Sequence, residues 1–181
     1  MTIDKTLYTG RPTEKRSAVE EAIFDKLDQL GISYARVDHE HADTMEDCLA
    51  VEAVLRAKIC KNLFLCNRQK TQFYMLMMPG DKPFKTKNLT AQLNCARLSF
   101  GDADKLMEYL HTTPGSVSAL ELIFDTEIDV RVVIDKDLMK DEYISGHPGI
   151  STSTLRLTRD NMLKYIKAAG HEPTFIDLAA E

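Results

Sequence analysis

Three short stretches of this 181-residue chain place reactive side chains beside backbone features able to aim them. In "CKNLFLCN" (60–67), Lys61 and Asn62 open an apolar run. A lysine directly before a strand can hold a phosphate as a point charge. It can equally lay its stem along apolar surface with its ammonium in water, and spacing alone leaves both readings open. In "TTPGSVSAL" (112–120), Pro114 restricts φ and Gly115 frees it. Gly115, Ser116 and Val117 could therefore turn successive N–H groups toward an oxygen anion, or simply make a turn. In "SGHPGISTST" (145–154), Pro148 favours an extended backbone at His147. That imidazole could orient a ligand or move a proton, or rest on a backbone group.

The segment 58–87 is locally basic: Lys58, Lys61, Arg68, Lys70, Lys82, Lys85 and Lys87 face one acid, Asp81. Lysines of this kind can blunt an edge strand or form a phosphate-binding surface. The whole chain carries net charge −5, with 44% hydrophobic and 28% charged residues, so a polybasic DNA-binding protein is not expected. No apolar run is long enough to cross a bilayer. "MTIDKTLYTGRP" lacks the apolar core of a signal peptide, so no membrane partner and a cytoplasmic location are expected. Cys48, Cys60, Cys66 and Cys95 form no CxxC pair and have no histidine at a finger-like spacing, so no metal site is expected from them. Cys60 and Cys66 would share one strand face roughly 20 Å apart, too far to bridge. His39 and His41, in "DHEHAD", alternate with acids that ordinarily meet solvent. No GxGxxG, Walker loop, HExxH or GxSxG occurs, and no cofactor is expected.

The positioning elements follow from periodicity and caps. Ser17 with Glu20 makes a capping-box pattern for a helix over 17–32, with Val19, Ile23, Leu27 and Leu30 on one face and Gly31 as its stop. Thr44 and Asp47 open a second helix over 44–57. Strands are predicted at 33–39, 62–67 and 72–78, the last two joined as a hairpin by "RQKT". A loop becoming a short helix follows over 79–94, then a strand at 96–100 and a helix at 102–112. "ELIF" (121–124), "VRVVID" (130–135) and "STSTLRL" (151–157) read as strands, 158–170 as a helix, and 174–178 as an edge strand. No repeat or linker breaks the chain, so one domain spanning 1–181 is expected. Irregular interleaving with hairpins points to an α/β fold of the α+β type, a mixed, largely antiparallel sheet flanked by helices.

Four stretches, "HADTMEDC", "CKNLFLCN", "HTTPGSVSALEL" and "GHPGISTSTLRL", resemble in order and spacing the YbaK and prolyl-tRNA synthetase-associated domain family. The likeness runs from about residue 17 to 170 and is greatest with the ProX-type Ala-tRNA(Pro) deacylase branch. It implies a hydrolase acting on the ester of mischarged tRNA(Pro), with the tRNA(Pro) acceptor end as partner and prolyl-tRNA synthetase as a further one. It also implies the site. Lys61 would contact the terminal adenosine, and Gly115, Ser116 and Val117 would hold the ester and its attacking water. Asn62, His147 and Ser151 would line the substrate pocket. Arg68, Lys70, Lys82, Lys85 and Lys87, in the basic segment around and after the Lys61 strand, are a candidate path for the acceptor stem. Alternatives are Cys-tRNA(Pro) deacylation or a non-catalytic tRNA-binding module of the same fold. Two positions depart from the family pattern: Ala119 stands where proline is usual, and Ser151 where asparagine is usual. Both bear on amino-acid preference more than on the fold.

Overall fold

The computed structural model describes residues 1–178. The expected first helix, α1 (Ala18–Gln29), starts at Ser17, whose side chain accepts from the Glu20 N–H while the Glu20 carboxylate accepts from the Ser17 N–H. It buries Ile23, Phe24 and Leu27. The second, α2 (Met45–Leu55), has the same reciprocal cap from Thr44 and Asp47. Both caps satisfy N–H groups that a helix start leaves without intrahelical partners.

The strands divide between two sheets. The smaller has the order β1 (Tyr8–Thr9), β2 (Ala35–Asp38), β8 (Ser153–Thr158), β7 (Tyr143–Gly146), antiparallel throughout. The larger has the order β5 (Leu98–Phe100), β3 (Cys60–Asn67), β4 (Phe73–Pro79), β6 (Val130–Asp135), β9 (Thr174–Ile176). Here β3 runs antiparallel to β4 and β5, while β6 is parallel to β4 and β9 parallel to β6. The mixed, largely antiparallel arrangement with helices around it is as expected, and β9 is the expected edge strand.

β4 explains why its sequence is apolar without alternation. Phe73, Met75 and Met77 enter the larger core with α1, while Tyr74, Leu76 and Met78 enter a second core beneath α3 (Thr86–Leu93) with Leu89. A strand buried on both faces needs apolar residues at every position. The β3–β4 turn needs no Asn-Gly pair because Asn67 builds it. Its Oδ1 accepts from the Thr71 and Gln72 N–H groups, and Lys70 takes a left-handed φ of 54°.

Two expectations are corrected. "ELIF" is no strand: Ala119–Phe124 forms a 3₁₀ turn, started by a Ser118–Glu121 capping box. The strand β7 was not anticipated; its four residues gain their ladder only by pairing with β8. The helices α4 (Ala103–Leu110) and α5 (Arg159–Ala168) complete the fold, and both pack on the 3₁₀ turn. No helix among the described residues is long and apolar enough to cross a membrane.

Candidate active site

The start of β3 is pinned to β7. The Cys60 N–H donates to Ser145 Oγ at 3.1 Å, and the Cys60 thiol to the Ser145 carbonyl at 3.2 Å. Burial pushes the Cys60 thiol up, so it stays protonated and acts as a structural contact. Asn62 Nδ2 leans onto the same sulfur at 3.6 Å. Lys61 extends differently, its Nζ donating to the Lys82 carbonyl at 2.6 Å. Lys82 is itself buried, with its ammonium 2.7 Å from Asp135 and 2.9 Å from Asp137. This ion cluster fixes the carbonyl on which Lys61 rests. The turn between them requires Gly80, because a Cβ there would lie 2.2 Å from the Ile59 carbonyl oxygen.

β7 leads directly into His147, where the glycine loop meets it. Gly115 holds φ at +90°, which a side chain would strain, and the Ser116 N–H returns to Thr113 O at 3.1 Å. Ser118 Oγ donates to the His147 carbonyl at 2.6 Å. The His147 ring points Nδ1 at the Ser153 carbonyl, 2.7 Å away. A carbonyl only accepts, so Nδ1 carries the proton and Nε2 keeps a lone pair. Burial lowers the His147 pKa, outweighing the Ser153 carbonyl that raises it, with the charges of His39 and His41 adding to the lowering. The ring is thus neutral near pH 7, and its Nε2 is an acceptor. His39 stands 6.3 Å away, its ring spent on the Glu40 carbonyl and the Thr154 hydroxyl. Ser151 pairs with His41 Nδ1 at the exposed edge.

Beside Lys61 a cavity of about 440 Å³ opens between α2 and the sheets. Met45, Leu49 and Glu52 of α2 form one wall; Leu138, Tyr143 and Ile144 form another. This volume lies in the range of small-molecule pockets. Sequence reasoning missed the α2 wall and Tyr143. A signal was present, since α2 buries Val51 and Leu55 yet leaves Met45 and Leu49 more than half exposed, a second apolar stripe unused by the core.

The structure thus joins three motif segments. Cys60 and Ser145 link the Lys61 segment to β7, and Ser118 links the glycine loop to His147. It does not assemble the basic segment into one surface. Lys82 is committed to two carboxylates, a correction to its expected place along the acceptor stem. Arg68 and Lys70 sit at the far end of β3 from Lys61, roughly 20 Å away at strand rise, and Lys70 pairs with Asp102 at 2.8 Å. Lys85 and Lys87 begin α3. Ser118 and Glu121, absent from the sequence reading of the site, hold its loop in place.

Residues 39–165 match the family model of the aminoacyl-tRNA editing domain. The chain is 31% identical over 159 residues to the prolyl-tRNA editing protein ProX of Acetoanaerobium sticklandii, covering 88% of this chain and 97% of that protein. It is 26% identical to the prolyl-tRNA synthetase associated domain-containing protein 1 of Danio rerio, covering 91% of this chain and 88% of that one. A crystal structure described as a candidate trans-editing enzyme for prolyl tRNA synthetase shares the fold, with a TM-score of 0.67 and 15% identity over 92% of this chain and 100% of that one. The chain belongs to the aminoacyl-tRNA editing domain family.

Proposed function

We propose that this member of the editing-domain family is a trans-editing deacylase that hydrolyses mischarged tRNA(Pro), with Ala-tRNA(Pro) as its substrate. The observation that carries the reading is the convergence of the Lys61 strand end, the glycine loop and His147 through two hydrogen bonds, Cys60–Ser145 and Ser118–His147. A synthetase pocket shaped for proline rejects smaller apolar amino acids poorly, so a second hydrolytic site is required.

Lys61 holds the terminal nucleotide, its ammonium aimed by the Lys82 carbonyl. The aminoacyl group enters beside His147, whose neutral ring offers Nε2 to the substrate's amino group. Asn62 and Ser151 complete the polar edge. Water adds to the aminoacyl carbonyl, and the N–H groups of Gly115 and Val117 stabilise the oxyanion, while the Ser116 N–H, held by the Thr113 carbonyl, keeps the loop in shape. The carbon–oxygen bond to the ribose then breaks, its oxygen takes the proton lost by the water, and free alanine and tRNA leave. The substrate's neighbouring ribose hydroxyl relays that proton. Prolyl-tRNA synthetase is the proposed docking partner.

The test is deacylation of Ala-tRNA(Pro) and Cys-tRNA(Pro) side by side. Faster release of alanine supports the reading, faster release of cysteine reassigns the substrate, and release of neither above the buffer rate sinks it. Lys61→Ala should lower the rate by at least about a hundredfold, as for loss of a substrate-positioning contact.

A further inference from the structure

Glu121 takes no part in the steps above, yet it is fully buried beside the glycine loop. Its Oε2 lies 3.0 Å from the Ser118 backbone nitrogen and 2.5 Å from Ser118 Oγ. The same Oγ lies 2.6 Å from the His147 carbonyl oxygen and 3.2 Å from the Leu120 nitrogen. A serine hydroxyl has one proton and two lone pairs. The His147 carbonyl can only accept, so the Ser118 proton goes there. The Leu120 N–H and the Glu121 N–H of the capping box share one lone pair. The second faces Glu121 Oε2, and two oxygens come this close only with a proton between them. Ser118 has none left to give, so the proton belongs to the carboxyl.

We propose that Glu121 is a neutral carboxylic acid in the folded protein and, through Ser118, is the positioning residue that holds the His147 backbone against the glycine loop. The role in positioning rests on the reading of His147 as substrate-facing. The surroundings agree. Burial pushes the Glu121 carboxyl well above its usual range, against the lowering by its bonds to Ser118. The 3₁₀ turn is packed by α5, α4 and α1. From α5 comes Tyr165, whose own hydroxyl donates to the Leu120 carbonyl at 2.7 Å and is itself pushed upward by burial. The segment after α4 brings the buried Thr112, whose side chain lowers the Glu121 carboxyl less than burial raises it, and α1 brings Ile23, Phe24 and Leu27 into the neighbouring apolar cluster. Glu121 Oε1 has no hydrogen-bond partner, a loss that a neutral acid bears more cheaply than a carboxylate. Ionised, Glu121 would draw the Ser118 proton to itself and release the His147 carbonyl.

An infrared difference spectrum between the protein and its Glu121→Gln variant at neutral pH tests the protonation directly. The expected loss is a carboxylic-acid carbonyl band; loss of a carboxylate band overturns the proposal. Carbonyl-¹³C histidine labelling, followed into alkaline pH, tests the link. The His147 signal should move in the wild-type protein as Glu121 ionises and stay still in Glu121→Gln; equal movement in both overturns it. Neither arm uses tRNA, so each stands or falls apart from the deacylase reading. In the deacylation assay, Glu121→Ala should lower kcat by about tenfold with KM little changed, and Glu121→Gln should recover most of it. A Gln variant as impaired as the Ala variant counts against positioning. Should Glu121→Ala fail to fold, the infrared result still decides.

Discussion

The chain uses one local motif in two settings that give it opposite electrostatics. At the start of α1, Ser17 and Glu20 form a capping box, and at the start of the 3₁₀ turn Ser118 and Glu121 form another. Each serine hydroxyl lies near its glutamate, at 2.8 Å and 2.5 Å. Glu20 has the Arg16 guanidinium 3.6 Å from its other oxygen. No basic side chain pairs with Glu121 among the described residues, and its serine must also serve the His147 carbonyl. The first box finishes a helix; the second ties a loop to a histidine. Capping chemistry is set by four residues in a row, but the charge on the glutamate is set by what the fold packs around it.

The largest expected contrast is between the serines. Ser118→Ala strips partners from three buried groups and should cost about 3 kcal/mol in urea unfolding, whereas Ser17→Ala should cost about 1 kcal/mol as an ordinary lost cap. Equal costs would break the comparison. The glutamates should differ in sign. The Glu121 carboxyl is raised in the fold. Below the ordinary carboxylate range the folded and unfolded chains both hold the proton, and nothing is lost. Above that range the unfolded chain ionises while the fold does not, so stability falls by up to about 1.4 kcal/mol per pH unit until the raised folded pKa is passed. Glu121→Gln removes this contribution, so its unfolding free energy should exceed the wild-type value by a margin that grows with pH through the neutral range. Glu20→Gln should instead destabilise, by about 0.5–1 kcal/mol, by weakening the Arg16 pair. The smallest effect belongs to the more exposed box on α2, where Thr44→Ala should cost about 0.5 kcal/mol. A similar effect from Ser118→Ala would make the buried box no more than a cap.

The legibility of the chain follows the same division. The box at Ser17 is readable because an amphipathic helix follows it, and the box at Thr44 because a run of strong helix formers does. Ser118-Ala119-Leu120-Glu121 has the same spacing, but it follows a Pro-Gly loop and precedes Ile123 and Phe124, types common in strands. The 3₁₀ turn there gains its stability from α4 and α5, which lie outside any local window. β7 was illegible for a related reason: Tyr143–Gly146 includes Ser145 and Gly146, and β8 makes it a strand. Lys61, the glycine loop and His147 stood out by residue type and order. The wall of the cavity did not, because Met45 and Tyr143 meet only once α2 and β7 have docked.

The sequence by itself determined the helix starts, the unbroken apolar run of β4 and the side chains offered for chemistry. Each of these depends on neighbours within a few residues along the chain. Only the tertiary structure decided that Lys82 is spent on Asp135 and Asp137, that the loop and His147 share one serine, and that Glu121 keeps its proton. Charge state and hydrogen-bond partnership depend on which distant groups exclude water from a site, and periodicity along the chain carries no record of them.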